Sequence, residues 1–157
     1  MGEARRRRIT IAGAGPGGIC TAIKLKEAGI EDFLILERSM RPGGTWSRNR
    51  YPGLSCDVPS MLYSFSFEQK VDWTRPYATQ PEIEEYMLDV VEKYGIDEHI
   101  RYGSDLREAR WDDDASAWRF CTADGWTTSS DVFVSAIGMF NRLRWPAIPG
   151  LDDFAGR

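Results

Sequence analysis

Cysteine, histidine and long apolar runs are scarce in this chain of 157 residues, and each scarcity excludes a class of protein. The three cysteines, Cys20, Cys56 and Cys121, are widely spaced, form no C-x-x-C pair and have only His99 to join them, which excludes a structural zinc site and a disulfide framework. No apolar run approaches the roughly 20 residues that cross a bilayer, and the N-terminus lacks the apolar stretch of a secretion signal. The expectation is a cytoplasmic protein with no membrane partner. A basic surplus is missing too, since 20 Lys and Arg stand against 24 Asp and Glu. The run Arg5-Arg6-Arg7-Arg8 therefore reads as a solvated arm over residues 1–8, and no nucleic-acid partner is expected, because a phosphate-binding face needs basic residues clustered over a surface. Internal repeats and low-complexity tracts are absent.

What is present suits about one domain with a real core, at 42% hydrophobic residues. Arg8-Ile9-Thr10-Ile11-Ala12 is a β-branched run that stops at glycines. Gly17 to Ala28 carries helical spacing through Ile19, Ala22, Ile23 and Leu25, and Phe33-Leu34-Ile35-Leu36 is a second strand closing on Glu37. Residues 9–37 thus read as strand, helix, strand, half of a parallel α/β sheet. Residues 38–78 are aperiodic, rich in Gly, Pro, Ser, Arg and aromatics, with one short helical turn near Ser60-Met61-Leu62; so long an irregular stretch is read as functional. Thr79-Gln80-Pro81-Glu82 is a capping-box signal opening a helix over 79–95, whose stripe Ile83, Met87, Val90, Val91 and Tyr94 is core and which Gly95 stops. A β-meander follows over 105–129, with turns at Asp112-Asp113-Asp114 and Ala123-Asp124-Gly125 and with Trp118 and Phe120 on one face. A separate buried strand, Val132 to Ile137, ends at Gly138, and an extended exit segment completes 131–157. Cys20 and Cys121 read as buried small hydrophobes, Cys56 as packing, and His99 as solvated.

Gly13-Ala14-Gly15-Pro16-Gly17-Gly18 fits G-x-G-x-x-G between a strand and a helix. Gly13 permits the tight turn, Gly15 lets a pyrophosphate approach the backbone, and Gly18 lets helix and strand pack closely. The helix N-terminus offers N–H groups and partial positive charge to the phosphates. Glu37, about 20 residues past the last glycine, is placed to accept ribose hydroxyls, so FAD or NAD fits better than NADP. Arg41-Pro42-Gly43-Gly44-Thr45-Trp46, then Tyr51-Pro52-Gly53 and Cys56-Asp57, would let backbone approach a flat ring system with Trp46 covering one side, which favours FAD. A simple NAD-dependent dehydrogenase is disfavoured because no Tyr-x-x-x-Lys dyad exists: Val90 follows Tyr86 and Phe67 follows Tyr63 at that spacing.

Gly43-Gly44-Thr45-Trp46, Asn49-Arg50-Tyr51-Pro52-Gly53, Cys56-Asp57-Val58, Tyr63-Ser64-Phe65-Ser66-Phe67, Tyr77-Ala78-Thr79-Gln80-Pro81-Glu82 and Ala136-Ile137-Gly138-Met139-Phe140 together resemble the N-terminal part of the flavin-dependent Baeyer–Villiger monooxygenases. The resemblance implies an α/β, Rossmann-like FAD-binding domain, a parallel sheet with helices plus a small antiparallel β-meander, incomplete in this chain and leading into an NADPH-binding domain. It implies FAD as cofactor, NADPH as co-substrate, and oxygen from O2 inserted beside a ketone carbonyl or onto a sulfide. Gly13, Gly15, Pro16, Gly17, Gly18, Glu37, Arg38, Gly44, Thr45, Trp46, Tyr63, Leu106 and Gly138 would bind the cofactor. Asp57 would be the acidic residue beside the flavin that orients a catalytic arginine of the second domain. The family fingerprint F-x-G-x-x-x-H-x-x-x-W-P begins at Phe154-Ala155-Gly156, and a second G-x-G-x-x-G is missing. The chain is therefore expected to be the FAD-binding portion of such an enzyme, without turnover of its own. Leu54-Ser55 and Pro59 depart toward the N- or S-oxygenating flavin-containing monooxygenases, a second reading; a non-catalytic flavin- or nucleotide-binding module is a third.

Overall fold

β-branched runs and glycine stops organise a six-stranded sheet of order β3-β2-β1-β6-β5-β4. In chain order the elements are β1 (Arg7–Ala12), α1 (Pro16–Glu27), β2 (Phe33–Leu36), α2 (Thr45–Arg48), α3 (Gln80–Lys93), β3 (Ile100–Arg101), β4 (Leu106–Asp112), β5 (Ala117–Thr122) and β6 (Thr127–Ser135). This computed structural model describes residues 7–141 and 144–156. Most of the arm at 1–8 lies outside them, but Arg7 and Arg8 belong to β1. β1 pairs in parallel with β2 (Ile9 opposite Phe33) and with β6 (Ile9 opposite Val132), while β6, β5 and β4 form the antiparallel meander.

The core lies where β1, β2, α1 and α3 meet. Ile9, Ile11, Ile19, Ile23, Phe33, Ile35, Ile83, Met87, Val90 and Ile96 are all buried there, together with Trp46, Cys56 and Ala78 from the irregular segment. A side chain the size of Ile or Leu contributes about 1.5–3 kcal/mol when fully buried, so this cluster is what fixes the sheet under the glycine turn. Among the described residues no helix is long and apolar enough to cross a membrane.

Several expectations are corrected. The last meander strand and the buried strand Val132–Ile137 are one element, β6, because nothing between Ser129 and Val132 breaks an extended chain; it pairs with β5 through Trp118 opposite Ser130 and then with β1. Val132 and Ile137 are 46% and 54% exposed rather than buried. β3 carries too few residues for any period and falls in what reads as a polar connection. Thr79 is the N-cap of α3 but makes no side-chain cap, and Glu82 turns away to accept hydrogen bonds from the Thr74 N–H (2.8 Å) and hydroxyl (3.2 Å). His99 is not solvated: its ring stacks on Phe33 with centroids 4.1 Å apart. Cys20 and Cys121 are half-buried, whereas Cys56 is the buried thiol.

Candidate functional site

The glycine turn is sterically closed to any side chain at two of its positions. A Cβ on Gly18 would lie 1.9 Å from the Gly13 carbonyl oxygen, so α1 could not seat against the end of β1. A Cβ on Gly13, whose φ is +101°, would meet the Ala136 oxygen at 2.6 Å, at the point where β6 leaves the sheet. Gly15 is the extended N-cap residue of α1, and no side chain caps that first turn, so its N–H groups are left to solvent or a ligand. Across from it Gly44, φ +59°, comes so close that its Cβ would stand 2.9 Å from the Gly15 Cα. The Gly43 N–H donates to the Ala14 carbonyl at 2.8 Å and joins loop to cradle.

Glu37 sits at the end of β2 with its side chain almost wholly buried. One carboxylate oxygen accepts the Ala14 N–H at 2.8 Å and the other the Ser39 N–H at 2.7 Å. A carboxylate has about four acceptor positions, so each oxygen keeps one for another donor. Glu37 borders a cleft of about 930 Å³, walled also by Gly13, Gly15, Pro16, Gly17, Arg38, Gly44, Thr45, Leu106 and Gly138. Ten of the residues expected at the site are thus together on one cleft. Gly18 stands behind it as the packing glycine.

Trp46, Asp57 and Tyr63 do not border that cleft. Trp46 is 7% exposed and packs into the core, so it supports the Gly44-Thr45 wall from behind and does not present a face to the cleft. Its indole N–H donates to the Tyr63 hydroxyl at 2.9 Å, with the two rings edge to face. In that position the indole gains core burial and a satisfied N–H. Burial pushes the Tyr63 hydroxyl above the usual tyrosine pKa; the nearby Cys56 and Asp57 act in the same sense, against the indole hydrogen bond. Asp57 itself is exposed.

The cleft also has walls that the sequence reading does not name as site residues: Arg48, Asn49, Ser104, Asp105, Asn141 and Arg144. Ser104 and Asp105 arrive there because β3 pairs with β2 and the Ser104 N–H donates to the Glu37 carbonyl at 2.8 Å. Arg38 donates to the Asn141 carbonyl at 3.2 Å across the mouth. The signal that could have found Ser104 and Asp105 was the Ile100-Arg101 pair as a third parallel strand.

The family model that matches is the NAD(P)-binding Rossmann-like domain, over residues 11–78. Across nearly the whole chain, similar proteins include a Baeyer–Villiger monooxygenase of Streptomyces coelicolor, 42% identical over 96% of this chain and 29% of that protein. The FAD-binding monooxygenase ktnD of Aspergillus niger is 41% identical over 97% of this chain and 27% of its own length. Among solved structures, cyclohexanone monooxygenase from Rhodococcus sp. Phi1 bound to NADP+ superposes with a TM-score of 0.87 at 35% identity, over 98% of this chain and 30% of that one. The chain spans a little under a third of the length of these relatives.

Proposed function

We propose that this chain, which is related to the Baeyer–Villiger monooxygenases across nearly all of its length, is the FAD-binding part of an NADPH- and O2-dependent flavin monooxygenase. The observation that carries the reading is the cleft: a glycine turn closed to side chains at Gly13 and, behind the cavity, at Gly18, together with an uncapped helix N-terminus and a buried acid with spare acceptor positions. These residues fit an adenine dinucleotide with a free ribose 2′-hydroxyl. The N–H groups at the start of α1 would hold the pyrophosphate, Glu37 would accept the ribose hydroxyls, and Arg38 and Leu106 would close the adenosine end. Gly44 and Thr45 would bring backbone to the rest of the cofactor, backed by Trp46 and Tyr63, and Gly138 would turn the chain out of the sheet beside it. Asp57, exposed near Tyr63, would hold a cationic side chain supplied by another part of the enzyme. When bound, the flavin supplies the redox chemistry that activates O2; the residues here bind and orient it.

The reaction proposed is oxygen insertion beside a ketone carbonyl, or transfer to a sulfide or other soft heteroatom, in a cytoplasmic enzyme. Hydride delivery needs a nicotinamide held against the flavin, and one glycine cradle cannot order two nucleotides. The 157-residue chain is therefore expected to retain FAD through desalting, with flavin absorbance, and to show no NADPH consumption coupled to ketone oxygenation. Tight NAD binding in place of FAD would sink the cofactor assignment, and oxygenation by the chain alone would sink the division of labour.

A further inference from the structure

Behind the cleft, on the far side of α2, lies a buried carboxylate that the cofactor site does not use. Glu84 on α3 is 7% exposed. One of its oxygens accepts from the Gln80 amide at 3.0 Å, one helical turn earlier. The other accepts from Arg50 at 2.7 Å and from Arg41 at 3.5 Å. The same Gln80 nitrogen donates to the main-chain carbonyl of Trp46, inside α2. None of these four side chains borders the cleft.

We propose that Glu84 is a positioning residue for the cofactor: it clips both ends of the segment 41–50 onto α3 and so holds Gly44 and Thr45 against the glycine cradle. Arg41 precedes that segment's glycines and Arg50 follows α2, and both reach one carboxylate. On the opposite side the Gly43 N–H is tied to Ala14. A short, glycine-containing wall is thus fixed at the cradle by backbone and at α3 by charge. A carboxylate withdrawn from water is costly unless its acceptor positions are met, and here three donors meet them. A purely apolar contact in that place would pack α2 on α3 without setting its register along the helix. Gly44 and Thr45 contact the cofactor only if FAD occupies the cleft, so this inference rests on the FAD reading above.

The test is FAD titration into the chain and its E84Q, R50A and R50K variants, read by flavin fluorescence and by visible circular dichroism of bound flavin, with far-ultraviolet melts alongside. Because the Arg50 side chain is 55% exposed, R50A keeps the test open if E84Q folds poorly. The expected result is FAD affinity lower by roughly tenfold in E84Q and R50A, the loss of a charge-assisted hydrogen bond. A weakened visible dichroic band should accompany it, with part of both effects restored in R50K. A folded R50A that matches the wild type in affinity and dichroism overturns the positioning role alone. Failure of the wild-type chain to bind FAD overturns the cofactor reading and this inference with it.

Discussion

In the cradle, residues 9–37, the backbone hydrogen bonds run within α1 and the parallel pairs of β1 with β2 and β6; across the cleft, residues 38–78 hold only α2 and one 3-10 turn. Both border the same cavity. The first is shaped by main-chain regularity and by the absence of side chains at Gly13 and Gly18. The second is shaped by side chains that reach for its main chain: the Tyr86 hydroxyl accepts the Phe65 N–H at 2.8 Å and donates to the Glu68 carbonyl at 2.6 Å. In the same way the Ser60 hydroxyl donates to the Arg75 carbonyl at 2.6 Å, and Glu82 holds Thr74. The cradle should therefore fail by steric overpacking and the loop by lost polar partners.

The largest effect expected is G18A. Its methyl would have to displace the Gly13 carbonyl, so the change should cost about 3 kcal/mol or more in urea unfolding and remove FAD retention. Next in size is Y86F, which keeps the ring but strands the Phe65 N–H and the Glu68 carbonyl. It should cost about 1–3 kcal/mol without changing the denaturant slope, because apolar burial is unaltered.

A pH effect follows in rank. Burial holds the Tyr63 hydroxyl neutral in the fold, so its folded pKa lies above the unfolded value near 10. That contribution to stability is fully present below about pH 10 and is lost as pH rises through the raised folded pKa. Phenolate absorbance should show Tyr63 titrating later than free tyrosine. W46F removes the indole donor that favours the phenolate, so it should move that titration higher still. The smallest effect belongs to G17A: nothing lies within 4 Å of a Cβ there, so stability should change by less than about 1 kcal/mol and FAD should be retained. A G17A as damaging as G18A would erase the contrast between sterically closed and open positions of one motif.

Legibility in the sequence follows the same division. β1, α1, β2 and α3 could be read because apolar residues recur at their periods and glycines mark their ends, and the cleft residues carried by the glycine motif and Glu37 came with them. β3 could not, since Ile100 and Arg101 acquire meaning only beside β2. β6 reads as two strands because its partner changes along its length while its chain does not turn. Trp46 could be placed in the irregular segment but not oriented, as local pattern does not reveal that Tyr63 offers its indole an acceptor. Glu84 lies one residue from the apolar stripe of α3, and only the folded position of Arg50 marks it as more than a helical surface acid.

The claim at the centre is that this cleft grips the adenosine-pyrophosphate half of FAD. Calorimetric titration of the chain with FAD and, separately, with FMN tests it directly, since FMN has the flavin but neither pyrophosphate nor adenosine. FAD should bind with a one-to-one endpoint while FMN gives no saturable heat, and G18A should abolish the FAD signal. FMN binding as tightly as FAD, or FAD binding unchanged in a folded G18A, would contradict it.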